Sequence, residues 1–192
     1  MEKTYEEDVM TLPSDATRRD VGISAVAGSV EAEELIESLR AHRRFLLQTV
    51  EGITDEDACR RTTVSQLCLG GIIKHVAYVE AGWSDFIVRG LEAMRFDDTT
   101  LQAHADSFRF ADGESLKDVV DNFEDVASRT DEIVRSARSL EAAHPLPDAP
   151  WFEQDGRWSV RRVALHLLAE ISQHAGHADI IREALDGSKT MG

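Results

Sequence analysis

The chain of 192 residues is 42% hydrophobic and 6% aromatic, which suits one domain able to bury about 70% of its unfolded surface and excludes a disordered or collagen-like chain. Its 36 acidic side chains against 21 basic ones give a formal charge of −15, which repels phosphate backbones and anionic lipid headgroups, so neither nucleic acid nor a membrane surface is expected as a partner. Two cysteines, Cys59 and Cys68, are too few for a disulfide framework, and no run approaches the ~20 apolar residues of a membrane span.

Residues 1–28 mix charges, a Thr-Leu-Pro-Ser turn at 11–14 and small residues with no period, which predicts a loosely attached arm ahead of one domain over 29–192. The same stretch lacks the apolar segment of a signal peptide, and a reducing, cytoplasmic setting is expected. A first helix over about 30–50 places Leu35, Leu39, His42 and Leu46 on one stripe, with Gly52 stopping it. The second is expected from Ser65, as N-cap, to Gly90, with Ile72, Val76, Val79, Trp83 and Phe86 on one side and Gly70-Gly71 weakening its first turns. The third, from Ser115 to about Leu140, repeats Leu116, Val119, Phe123, Val126, Ile133, Ala137 and Leu140 every three or four positions. The fourth opens at Ser159 and stops at Gly187. No stretch alternates apolar and polar residues long enough to argue a sheet, so the expected fold is all-α, a four-helix bundle.

Two connections exceed tight turns. Residues 91–114 could span the ~40 Å of a 26-residue helix, which allows a long crossover between helices two and three and an up-down-down-up course. Residues 141–158 hold three of the four prolines plus Trp151, Phe152 and Trp158, a stiff aromatic loop of the kind that often lines a binding site.

Chemistry concentrates on the fourth helix. His166, Glu170, His174 and His177 fall within about 40° either side of Glu170, on a stripe bordering the apolar residues Val163, Leu167, Ile171 and Ile181. A carboxylate among imidazoles on an apolar face must be paired, hydrogen-bonded or bound to metal, because desolvation disfavours its charge. His75, between Ile72 and Val76 on the second helix, faces the core at a similar depth. Two groups four apart on one helix and a third from a facing helix can hold a divalent metal with an open position, and zinc, nickel, cobalt or iron would accept two nitrogens and one oxygen. A structural alternative stays open, since a lone Glu-x-x-x-His is common on helix surfaces and a single core histidine is usually just hydrogen-bonded. His42 could face the same cavity. Cys68 reads as apolar filler, Cys59 lies in a polar stretch, and Arg161, Arg162 and Arg182 suit a solvated face.

The segments Leu-Gly-Gly-Ile-Ile-Lys-His-Val-Ala-Tyr-Val-Glu-Ala-Gly-Trp (69–83) and Trp-Ser-Val-Arg-Arg-Val-Ala-Leu-His-Leu-Leu-Ala-Glu-Ile-Ser-Gln-His-Ala-Gly-His-Ala-Asp-Ile-Ile-Arg-Glu (158–183) resemble the DinB-like superfamily, within it the mycothiol transferase branch. The resemblance covers about residues 30–188 and implies an up-down-down-up four-helix bundle. It also implies a metal site of His75, Glu170 and His174. Many members of the superfamily carry a third histidine where this chain has Glu170, and the glutamate is the pattern of the thiol-transferase branch.

The function so implied is a metal-dependent S-transferase that joins a low-molecular-weight thiol, mycothiol, to an electrophilic small molecule in detoxification, with a divalent metal, zinc by preference, favouring thiolate over thiol. His177 or His166 is expected to take the released proton or orient a ligand. The 141–158 loop is expected to cover the electrophile. A homodimer is implied by resemblance alone. Two alternatives remain: a metal-dependent hydrolase of small amides or esters, and a non-enzymatic metal-binding stress-response bundle.

Overall fold

The structure, a computed structural model, describes residues 27–95, 97–111 and 113–190. The arm expected over 1–28 lies outside the described residues except for its last two positions, which open the first helix. In chain order the helices of the described residues are α1 (Ala27–Gln48), α2 (Asp55–Cys59), α3 (Leu69–Arg89), α4 (Asp98–Ser107), α5 (Leu116–Ser136) and α6 (Val160–Asp186), with a 3₁₀ turn, Gly90–Ala93, after α3. Several ends of the long helices are capped so that open backbone groups find partners. Ser159 Oγ accepts from Arg162 N at the start of α6, and Gly187, at φ +81°, closes its other end. Gly90, at φ +61°, closes α3.

Where the boundaries differ from expectation, the reasons are local. The second long helix starts at Leu69 with Cys68 as its cap position, and Ser65 instead accepts from Leu67 N in the preceding turn. The third ends at Ser136, because Ala137 is extended (φ −60°, ψ 132°), yet Leu140 is still buried, so the apolar period runs on past the helix. The 91–114 connection holds α4, which sequence periodicity does not reveal. The all-helical expectation also needs one small correction: β1 (Ala143–Pro145) pairs antiparallel with β2 (Arg157–Ser159), His144 opposite Trp158.

Helices α1 and α3 each pack against both α5 and α6. The core between them includes Leu39, Leu46, Ile72, Ile73, Phe86, Phe123, Val163, Leu167 and Ile171, and each such side chain contributes about 1.5–3 kcal/mol through burial. Polar ties mark which parts of the helices meet. Arg161 pairs with Glu31, while Arg182 donates to the carbonyls of Thr49 and Glu51 just beyond α1. Lys74 pairs with Glu114 just before α5, and Ser84 shares a 2.7 Å hydrogen bond with Thr130 within it.

The buried stripe of α1 runs through Ala32, Ile36, Leu39, Arg43 and Leu46, so the titratable residue in the core is Arg43 rather than His42. Arg43 is 4% exposed and meets Glu80 at 2.5 Å and Asp131 at 2.7 Å, both of which are also buried, while Arg40 reaches Asp131 from the surface at 2.6 Å. His42 is half-buried, and its Nδ1 lies 2.8 Å from the Ser38 carbonyl. Among the described residues no helix is long and apolar enough to cross a membrane.

Candidate metal centre

The close glycine pair at the start of α3 sets up one wall of the site. A Cβ on Gly71 would fall 2.1 Å from the Phe108 carbonyl oxygen, and one on Gly70 would fall 2.4 Å from the Phe110 ring. The chain leaving α4 therefore lies directly on the α3 backbone, which only glycine permits. One turn further along α3, His75 receives the residues this contact delivers. Phe108 stacks on its imidazole with centroids 3.5 Å apart, and Ser107 Oγ lies 2.9 Å from its Nδ1.

From the facing helix α6, Glu170 and His174 come toward the same place. One ligand atom from each of His75, Glu170 and His174 lies within 4.8 Å of the others, close enough for a single ion to touch all three. His75 is 2% and His174 9% exposed, whereas Glu170 is half-buried. The carboxylate is thus the most exposed of the three side chains.

The remaining α6 histidines flank the trio rather than join it. His166 Nε2 is 3.8 Å from Glu170 Oε1, and its ring sits edge-on to Trp83 and Trp158. Trp158, from β2, stacks on Trp83 at 4.5 Å, with the Arg162 guanidinium 4.3 Å over its outer face, so this tryptophan of the 141–158 segment is wedged into the wall of the site. His177 is just under one turn beyond His174, ring centroids 5.6 Å apart. His42 is not among the rings around the trio. Cys68 is buried at the head of α3, and Cys59 is exposed on α2.

The donor set, two imidazole nitrogens and a carboxylate oxygen, suits zinc and similar divalent ions. The nitrogens fit that use. Among the described residues, His174 Nδ1 and His177 Nδ1 are buried without a hydrogen-bond partner, and His174 Nε2 is 3.7 Å from Glu170 Oε2, beyond hydrogen-bond reach. Leaving a buried polar atom unpaired costs about 1–3 kcal/mol, which a bound cation would offset. Burial, then the neighbouring His174 and His104, push His75 down to about 3. Burial and His177 likewise lower His174, so both imidazoles are neutral near pH 7, as metal ligands must be. Burial raises Glu170, with His104 opposing, and burial followed by Arg162 lowers His166.

Sequence periodicity does not reach Ser107, Phe108 or His104, all of which surround His75. They belong to α4 and its exit, a polar segment with no apolar stripe. The available signal was the cap: Asp97 accepts from Thr100 N while Thr100 Oγ accepts from Asp97 N, a reciprocal box that the Asp-Asp-Thr-Thr run at 97–100 spells out.

Compared with known protein families, the chain matches a family model described as Mycothiol-S-transferase over residues 34–187. No curated protein and no solved structure matches the chain.

Proposed function

The chain belongs to the mycothiol-S-transferase family, and from that premise we propose that it is a metal-dependent S-transferase joining mycothiol to an electrophilic small molecule. The observation that carries the proposal is the convergence of His75, Glu170 and His174 within 4.8 Å. These three residues would hold the metal, with zinc the ion best suited to the donor set. A divalent cation there supplies preference for thiolate over thiol, so that sulfur is nucleophilic near neutral pH.

The chain's own residues do the rest. His75 and His174 stay neutral and offer lone pairs because burial disfavours their protonated forms. His166, braced against Trp83 and Trp158, flanks the Glu170 carboxylate on its Oε1 side at 3.8 Å. His177, beside His174 and half-exposed, takes the thiol proton, and His166 is the other imidazole within reach of that role. The aromatic wall of Trp83, Trp158 and Phe152 offers an apolar surface for the electrophile.

We also propose the up-down-down-up course. Supporting it, α1 and α6 are tied start to start by Glu31 and Arg161 and end to end by Thr49 and Arg182. Helices α3 and α5 run the same way, from Lys74 and Glu114 to Ser84 and Thr130, while α3 and α6 meet in reverse order, His75 with His174 and Trp83 with His166.

The test is turnover of a reporter electrophile by the zinc-loaded protein with mycothiol. A rate well above that of the His75→Ala variant, and dependent on the thiol, supports the proposal. Turnover that needs metal but no thiol makes the protein a hydrolase instead, and stoichiometric metal with no turnover of any electrophile makes it a binding protein.

A further inference from the structure

We infer that Ser107 is a positioning residue for the metal centre: its hydroxyl fixes His75 in the Nδ1–H tautomer and thereby presents Nε2 as the ligand atom. The inference rests on the metal reading for its consequence, but its structural content is independent of any ion.

The argument is a count of protons. Ser107 Oγ lies 2.6 Å from the His104 carbonyl and 2.9 Å from His75 Nδ1, and the hydroxyl has one proton to give. A carbonyl can only accept. The His104 carbonyl is one of the last four of α4, which have no partner within the helix by default, and the Phe108 N–H that would continue the ladder turns to the Asp106 carbonyl instead. The hydroxyl proton is therefore committed to His104. What remains on Oγ is lone pairs, so His75 Nδ1 must be the donor in their contact. Neutral imidazole carries one N–H, and placing it on Nδ1 leaves Nε2 with the lone pair.

Two further contacts hold this arrangement in register. Phe108 stacked on the imidazole at 3.5 Å sets the plane of the ring, and the flush approach of the Phe108 backbone to Gly71 fixes how far Ser107 can move from α3. The crossover between the second and third long helices is thus the outer layer of the site and selects the nitrogen that meets the ion. Such hydrogen-bonded supports typically carry about 10–100-fold in metal affinity.

The test is ¹⁵N NMR of the histidine ring nitrogens in the metal-free protein, together with zinc affinity by chelator competition, for wild type, Ser107→Ala and Ser107→Thr. The expected wild-type signal is a protonated Nδ1 and a bare Nε2 on His75. Ser107→Ala should mix the two tautomers and weaken zinc binding about 10–100-fold, with Ser107→Thr restoring both. A wild-type His75 protonated on Nε2, or a tautomer indifferent to Ser107→Ala, overturns the inference; the first needs no variant at all. A tautomer that follows Ser107 in a protein that binds no zinc upholds the positioning role and defeats the metal reading, so the two failures are distinct.

Discussion

Gly71 and Phe108 touch backbone to backbone, so closely that a single methyl group on Gly71 would fall 2.1 Å from the Phe108 carbonyl oxygen. Because Phe108 and its neighbour Ser107 are what His75 leans on, this contact couples the start of α3 to the candidate metal centre one turn away.

Gly71→Ala is expected to push the 107–110 segment off α3, costing about 1–3 kcal/mol as overpacking does and weakening zinc binding as well. Gly82→Ala is the control on the same helix, since nothing lies within 4 Å of the added carbon. It should stabilise by up to about 1 kcal/mol through helix propensity and leave zinc binding unchanged. Urea unfolding and chelator competition on both variants read the difference; equal effects would show that the close approach is not what seats the crossover.

The protonation of the site sets a sign for acid sensitivity. An unfolded histidine titrates near 6.5, whereas folded His75 is held down to about 3 and His174 and His166 are lowered too. Between those values the unfolded chain binds protons that the folded chain refuses, so the metal-free protein loses stability as pH falls, by up to about 1.4 kcal/mol per pH unit for His75. Glu170, raised by burial, acts in the opposite sense, its contribution weakening as pH rises above the unfolded carboxyl value. Three imidazoles against one carboxyl leave a net fall toward acid from about pH 6.5 to 4.5. Urea midpoints across that window should drop in wild type and drop less in His75→Asn; a flat wild-type profile would contradict neutral, buried imidazoles.

What the sequence made legible follows from burial of whole helix faces. The α6 stripe could be seen because His166, Glu170 and His174 repeat at four-residue spacing beside Val163, Leu167 and Ile171, and His75 because it sits between Ile72 and Val76. Period alone placed Leu39 and Leu46 of α1 in the core, where they lie, and was one residue off at the position between them. It selected His42, which is chemically plausible in a core, over Arg43, whose burial depends on Glu80 and Asp131 arriving from two other helices. Helix α4 has no buried stripe to announce it, only Ser107 buried at its end, and its stability comes from its cap and from contacts with α3. Pairing across tertiary distance is what a one-dimensional period cannot carry.

The buried Arg43 network gives a second stability test. Arg43→Met leaves Glu80 with no cationic partner at 1% exposure, which should cost about 3–5 kcal/mol. Asp131 keeps Arg40, so adding Glu80→Met to the first change removes the stranded charge without creating another. The double variant is expected to lose clearly less than the sum of the two single losses by urea unfolding. Strict additivity would mean that the Arg43–Glu80 pair contributes nothing specific to the bundle.

Metal loading separates the ligands from their neighbours. An ion bound only by the folded chain stabilises it by about 2.7 kcal/mol at a free concentration 100-fold above its dissociation constant, which thermal unfolding with and without zinc detects directly. His75→Ala, Glu170→Ala and His174→Ala should each abolish most of that shift, since each supplies one of the three converging atoms. His177→Ala should keep the shift while lowering turnover with mycothiol, because its ring lies beside His174 and outside the trio. His166→Ala should weaken the shift only modestly, its contact with Glu170 being 3.8 Å and one-sided. If His177→Ala removes the shift as fully as His174→Ala does, His177 is itself a ligand, and the proton must leave the thiol by way of His166.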